Sequence, residues 1–225
     1  MSLTLWFHPL ASFCHKALIA LDERGLAFEP VVVDLADPAA RAAFAEVWPL
    51  LKFPVLRDAA RGATVAESTA VIEYLDAFHG ASDGGRMIPA DPDLAWRARM
   101  WDRIFDQYVE LPMQKIVTDA IRPEGARDPH GVAEARAALA ATYRFLEAGL
   151  PAAPWALGED FGLADCAAAP ALFYADVVQP LGPAEPRLRA YLDRLLRRPS
   201  YARVLAAAAP YFPMFPLDPK PRLPA

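Results

Sequence analysis

The stretch Leu3–Leu26, LTLWFHPLASFCHKALIALDERGL, decides how the first third of the chain is read. Leu3–Phe7 is a short apolar run that reads as a buried strand, and His8-Pro9 stops it. From Ser12 to Arg24 the pattern changes period. Phe13, Ala17, Ala20 and Leu21 recur at helical spacing, and Gly25 stands where a helix C-terminal glycine belongs. A Ser, a Cys and a His (Ser12, Cys14 and His15) therefore gather where a strand hands over to a helix, next to that helix's positive end.

Working outward, strand and helix signals keep alternating up to residue 79. Phe28–Val33 reads as a second strand, with Pro30 arguing for an edge position. Pro38–Val47 reads as a short helix, opened by Asp37 as N-cap with Pro38 in first place. Phe53–Arg57 and Ala63–Ala66 read as strands joined by the hairpin loop Asp58–Gly62. Glu67–Phe78 reads as a helix with Val71, Ile72, Leu75 and Phe78 inward. The order β-α-β-α-β-β-α implies a small α/β layer with a mixed sheet, residues 1–79.

Residues 80–92, GASDGGRMIPADP preceded and followed by periodic segments, read as a linker. Beyond it strand signals vanish. Residues 93–209 read as an all-α helical bundle. Asp93–Ile121 is a long helix kinked at Pro112, followed by helices over 132–150, 163–178, 183–197 and 199–208. The third of these five, Leu163–Val178, is apolar on nearly every face and is expected at the centre. Residues 210–225 carry six prolines and read as an extended arm.

Composition excludes several classes. A chain of 225 residues that is 55% hydrophobic has ample material for a core. The net charge of −5, with no block of Lys or Arg, argues against nucleic acid as a partner. Apolar runs such as Cys166–Tyr174 are too short to span a bilayer, so no membrane association is expected. The N-terminal residues lack a basic segment followed by an apolar one, and a cytoplasmic location is expected. There Cys14 and Cys166 are two reduced thiols. His8, His15, His79 and His130 have no metal-ligand spacing, so no metal is expected.

Four local features, in this order, resemble the cytosolic glutathione transferase family, bacterial type. They are the strand-turn-helix Phe7–Leu26, the tetrapeptide Phe53-Pro-Val-Leu56, the segment Glu67-Ser68 to Tyr74-Leu75, and Gly158 to Asp165. The resemblance covers nearly the whole chain. It implies a thioredoxin-like first domain, a helical second domain, glutathione as co-substrate, a hydrophobic electrophile as second substrate, and a homodimer. It also implies a cis peptide at Phe53–Pro54. That would turn the Phe53 backbone outward to pair with the cysteinyl unit of glutathione, as an added strand would. Ser68, at a helix start, would receive the γ-glutamyl carboxylate and Glu67 its ammonium group. Lys52 would reach the glycyl carboxylate. Gly158–Asp165 corresponds to the capping box of the helical domain, with Gly162 in the place of the usual hydroxyl N-cap and Asp165 reaching back. Cys166 reads as a small buried hydrophobe.

Catalysis in such a protein means lowering the glutathione thiol from about 8.5 by roughly two units, about 3 kcal/mol. A hydrogen bond to sulfur plus a helix N-terminus supplies that order of magnitude. The serine and cysteine classes place their donor three residues before the position of Cys14, and here that residue is Ala11. The hydroxyl stands one place later. Four readings stay open. Ser12 caps the helix and turns to the thiolate; Ser12 only caps; Cys14 forms a mixed disulfide with glutathione; or backbone N–H groups around Ala11 and Phe13 act alone. His15 reads as a solvated or interfacial residue. The second substrate would lie between Pro9-Leu10 and the inward face of the long helix, at Trp101, Phe105, Tyr108 and Met113. The rival functions are a thiol-disulfide oxidoreductase built on Cys14, and a non-catalytic binding module, which Ala11 favours.

Overall fold

The computed structural model describes residues 2–80 and 85–224. Residues 81–84 of the expected linker, with Met1 and Ala225, lie outside the described residues. The first layer is a four-stranded mixed sheet of order β2-β1-β3-β4, built from β1 (Leu3–Phe7), β2 (Glu29–Val32), β3 (Val55–Asp58) and β4 (Ala63–Ala66). β1 runs parallel to β2 and antiparallel to β3, and β3 is antiparallel to β4. β2 is one of the two edge strands, where Pro30's missing N–H does no harm.

α1 (Ser12–Glu23) is the crossover between the two parallel strands, and Gly25 ends it at φ +60°, a conformation glycine adopts without penalty. α1 and α3 (Ser68–Phe78) cover one face of the sheet, packing Ala17, Leu21, Val71 and Leu75 on Leu3, Leu5 and Phe7. α2 (Pro38–Val47) covers the other through Phe44, which meets Val33 and Val55. Asp37 caps α2, accepting from Ala39 N at 2.9 Å.

The helical part comprises α4 (Pro92–Ile104), a π-helical turn over Phe105–Glu110, α5 (Leu111–Ala120), α6 (Pro129–Gly149), α7 (Leu163–Val178), α8 (Pro186–Arg197) and α9 (Pro199–Ala208). Among the described residues no helix is long and apolar enough to cross a membrane. α7 is the hub, with nearly every side chain buried, and it packs on α1, α4 and α8. The α1–α7 contact fastens the two layers into one body.

Three expectations need correcting. The long helix does not simply kink at Pro112. The preceding turn widens to π register, because Pro112 has no N–H for the Tyr108 carbonyl and its ring crowds that oxygen. The proline-rich tail is not an extended arm throughout. Ala209–Met214 forms a 3₁₀ turn, and Phe212 and Phe215 are buried in the helical core, since aromatic rings that can reach apolar surface gain by covering it. Helices α6 and α8 start at Pro129 and Pro186, each proline occupying the first turn, where an N–H is not needed.

Gly162 has a role beyond capping. A Cβ built on it would lie 2.7 Å from the carbonyl oxygen of Met87, the same oxygen that accepts from Leu163 N at 2.7 Å. A hydroxyl cap does not fit because another backbone passes there. Asp165 still reaches back to Gly162 N (3.0 Å) and also accepts from Ala156 N and the Tyr191 hydroxyl. Burial holds its carboxyl up at about 6.

Candidate functional site between the sheet and the helices

One cleft of about 840 Å³ runs along the seam between the sheet layer and the α4–π–α5 segment. Its sheet side is formed by the turn before α1 (Ala11, Phe13), the loop before β3 (Leu51, Lys52, Phe53, Pro54), and the end of β4 with the start of α3 (Ala66 to Ala70). Its helical side is formed by Arg103, Asp106, Gln107, Leu111 and Gln114. Ala11, Phe13, Lys52, Phe53, Pro54, Glu67 and Ser68, separated by up to fifty-seven positions in the chain, all line it.

The local backbone explains the convergence. The Phe53–Pro54 peptide is cis. The β3 ladder begins at Val55, so the Phe53 backbone stands outside the sheet's own hydrogen bonding. Leu51 (φ +53°) and Glu67 (φ +71°) are the non-glycine residues with positive φ among those described, and both line the cleft. That conformation costs about 1 kcal/mol or more for a side-chain-bearing residue and is found where a binding site over-determines it. Neither α1 nor α3 has a side-chain N-cap, so both present first-turn N–H groups and a positive end toward the cleft. Lys52 and Arg103 are cationic and Glu67, Glu73 and Asp106 anionic. Such a cleft matches an elongated ligand that carries charges of both signs.

Beneath the cleft lies a buried ion network. Lys16 Nζ bonds Asp102 at 2.8 Å, Asp106 at 2.7 Å and Thr69 Oγ1 at 3.1 Å. Arg103 joins both aspartates from the cleft side. Burial raises the Asp106 carboxyl, while Lys16 pulls it back.

The side chains at the head of α1 are placed as follows. Ala11, not Ser12, is the N-cap residue, so Ser12 does not cap. Ser12 is buried, and its hydroxyl donates to Glu110 Oε1 in the π-helical turn. Cys14 is fully buried; burial pushes its thiol far above the ordinary cysteine range, and a thiol held that way is not a nucleophile. His15 is neither solvated nor interfacial. It is fully buried, its Nε2 lies 2.6 Å from Pro9 O, and burial holds the imidazole at about 4, neutral. The reason is the α1–α7 contact: Tyr174 of α7 and Tyr201 of α9 enclose the ring.

The residues expected to wall a second-substrate site do not line this cleft. Trp101, Phe105 and Met113 belong to the helical core, with the tilted rings of Trp101 and Phe105 5.9 Å apart between centroids, and Tyr108 is solvent-exposed and outside the cleft. Pro9 is buried, and Leu10 packs on the same core; neither lines the cleft. The aromatic stripe of the long helix is its core face. Arg103, Gln107, Leu111 and Gln114, at spacings of four, four and three, form the mostly polar stripe that faces the cleft. That periodicity was present in the sequence and points to them.

The chain is similar to known proteins over most of its length. Family models described as glutathione S-transferase N-terminal domain and C-terminal domain match residues 11–77 and 129–194. Glutathione S-transferase 3 of Zea mays is 29% identical over 97% of this chain and 97% of its own. A stringent starvation protein A homolog of Pasteurella multocida is 26% identical over 92% of each. The crystal structure of a glutathione S-transferase from Methylobacillus flagellatus with GSH bound superposes with a TM-score of 0.80 at 26% identity, covering 90% of this chain and 98% of that one.

Proposed function

The chain belongs to the cytosolic glutathione S-transferase family, and from that premise we propose that it binds glutathione in the seam cleft and directs its thiolate at a hydrophobic electrophile. One observation carries the reading: the backbone outside the β3 ladder at Phe53, the uncapped N-terminus of α3 at Ser68, and the head of α1 at Ala11 face a single cleft.

Each has a partner on the tripeptide. The Phe53 N–H and C=O pair with the cysteinyl unit in strand fashion. The α3 N-terminus at Ser68 takes the γ-glutamyl carboxylate, and Glu67 takes the ammonium group. Lys52 takes the glycyl carboxylate. The sulfur then lies at the head of α1, whose positive end favours thiolate over thiol. The electrophile occupies the remaining cleft beside Phe13, Leu35 and Leu111. The exposed apolar side chains Phe78, Trp96 and Met100 support a homodimer; a cytoplasmic location belongs to the same reading through the family.

The disulfide-exchange reading has no support in the geometry, because the Cys14 thiol is buried away from the cleft. The binding-module reading keeps one observation: Ala11 at the donor position leaves no side-chain hydroxyl on the cleft wall there.

The test is a titration of bound glutathione by ultraviolet difference absorbance. The expected result is a thiol titrating about two units below its free value near 8.5. A bound thiol that titrates near 8.5 leaves only the binding module. Absence of saturable binding removes the glutathione reading altogether.

A further inference from the structure

A second cavity, of about 500 Å³, lies between α8 and the loop that follows α6, and it shares no lining residue with the seam cleft. Trp155, Tyr191, Pro151 and Pro154 give it apolar walls. Both aromatic rings are held in place. Tyr191 is buried, and its hydroxyl donates to Asp165 at 2.6 Å, so the slot meets the ring and not the hydroxyl. Trp155 packs edge-on against Phe161, with centroids 5.1 Å apart, and its backbone pairs with Gly158 in an isolated bridge. Among the described residues, the charged side chains on the slot's walls are Arg187 and Arg194.

These two arginines differ from their neighbours. Arg189 pairs with Asp176 at 2.6 Å, Arg197 with Asp193 at 3.9 Å and Arg198 with Glu23 at 2.6 Å. Arg187 and Arg194 have no carboxylate partner among the described residues. They donate to loop carbonyls instead, Arg187 Nη2 to Leu150 O and Arg194 Nε to Pro154 O at 3.1 Å. A carbonyl fixes a guanidinium in place without cancelling its charge. Seven positions apart on α8, the two lie on one face, two turns and about 10.5 Å from each other. Glu147 does not line the slot; its oxygens accept from the backbone N–H groups of Arg187 and Leu188, at 3.1 and 2.8 Å, at the start of α8.

We propose that this slot binds a small aromatic carboxylate. A planar carboxylate accepts parallel N–H groups from a guanidinium fork, and each arginine has donors left over after its carbonyl bond. A flat ring system covers the Trp155 and Tyr191 rings, which an aliphatic acid matches less well. The cavity is in the size range of small-molecule sites, mostly apolar with a few placed polar groups. The chain's net charge of −5 repels anions in general, so an anion bound here owes its place to these two cations. The inference is independent of the glutathione reading, because the two sites share no residue.

The test is calorimetric titration of the full chain with naphthoate, and with naphthamide as its neutral counterpart. The expected result is saturable naphthoate binding, with naphthamide weaker by about tenfold or more, the loss of a charge-assisted bond. Arg187→Gln combined with Arg194→Gln is expected to weaken naphthoate by a similar factor. Ala190→Trp places a ring in the slot from an exposed position on α8 and is expected to abolish binding there. Lys52→Gln, in the seam cleft, is expected to leave it unchanged. No saturable binding in the wild type overturns the proposal. So does equal affinity for naphthoate and naphthamide. Binding that survives Ala190→Trp but is lost in Lys52→Gln puts the acid in the seam cleft and overturns it as well. If the double arginine variant does not fold, Ala190→Trp and the naphthamide comparison decide.

Discussion

Gly162 and Met87 approach so closely that a side-chain Cβ on the glycine would sit 2.7 Å from the Met87 carbonyl oxygen. The contact pins the segment entering α4 to the head of the central helix, through the Leu163 N–H and that same oxygen. Gly162→Ala is therefore expected to destabilise the fold by about 1–3 kcal/mol, the range for forced overpacking. Gly80→Ala, where nothing lies within 4 Å of the added carbon, is expected to be near neutral. Urea denaturation of the two variants checks this; equal midpoints would remove the contact's importance.

Lys16 is buried against Asp102 and Asp106, with Thr69 completing its coordination. Lys16→Met leaves two carboxylates, one of them wholly buried, to share the half-exposed Arg103, and is expected to cost about 3–5 kcal/mol. Adding Asp102→Asn and Asp106→Asn to that variant is expected to recover a large part of the loss, since the penalty is mostly buried negative charge that Arg103 alone compensates. Thermal denaturation of the single and triple variants reads the difference.

His15 and Glu110 act on stability with opposite signs. The imidazole is held at about 4 in the folded protein and titrates near 6.5 unfolded. Between these values only the unfolded chain is protonated, so this residue makes stability rise with pH. The Glu110 carboxyl is held at about 7 and titrates near 4.5 unfolded. Between those values only the folded chain is protonated, so it makes stability fall as pH rises. The two windows overlap from about 4.5 to 6.5, where they offset each other. Glu110→Gln removes the fall, and its stability relative to wild type is expected to grow by about 3 kcal/mol from pH 4.5 to 7. His15→Gln, measured the same way, lacks the His15 loss and is expected to gain stability relative to wild type as pH falls from about 6.5 to 4. Guanidinium denaturation across that range checks both signs.

Both thiols are fully buried. Neither Cys14 nor Cys166 is expected to react with an aromatic disulfide reagent until the fold opens, at a rate that follows unfolding. Cys14→Ala is expected to leave the titration of bound glutathione unchanged while lowering stability by about 1 kcal/mol through lost packing. Rapid labelling of one thiol in the native protein contradicts this.

Local pattern carried most of the fold. The strand Leu3–Phe7, the helix from Ser12, the Asp37-Pro38 cap and the helix Leu163–Val178 are each written in neighbouring residues, because periodicity, caps and turn glycines act over a few positions. The sheet side of the cleft was legible for the same reason, since its residues sit at element ends. What tertiary structure alone decided was which side chain meets which across long separations. His15 and Lys16 follow Cys14 on an ordinary-looking helix, yet α7 and α4 bury both. The aromatic stripe of the long helix turned to the core and its polar stripe to the cleft. The partner of Ser12 lies ninety-eight residues away, at Glu110. Burial and charge pairing of this kind depend on the packing of whole layers, and no local stretch of sequence encodes them.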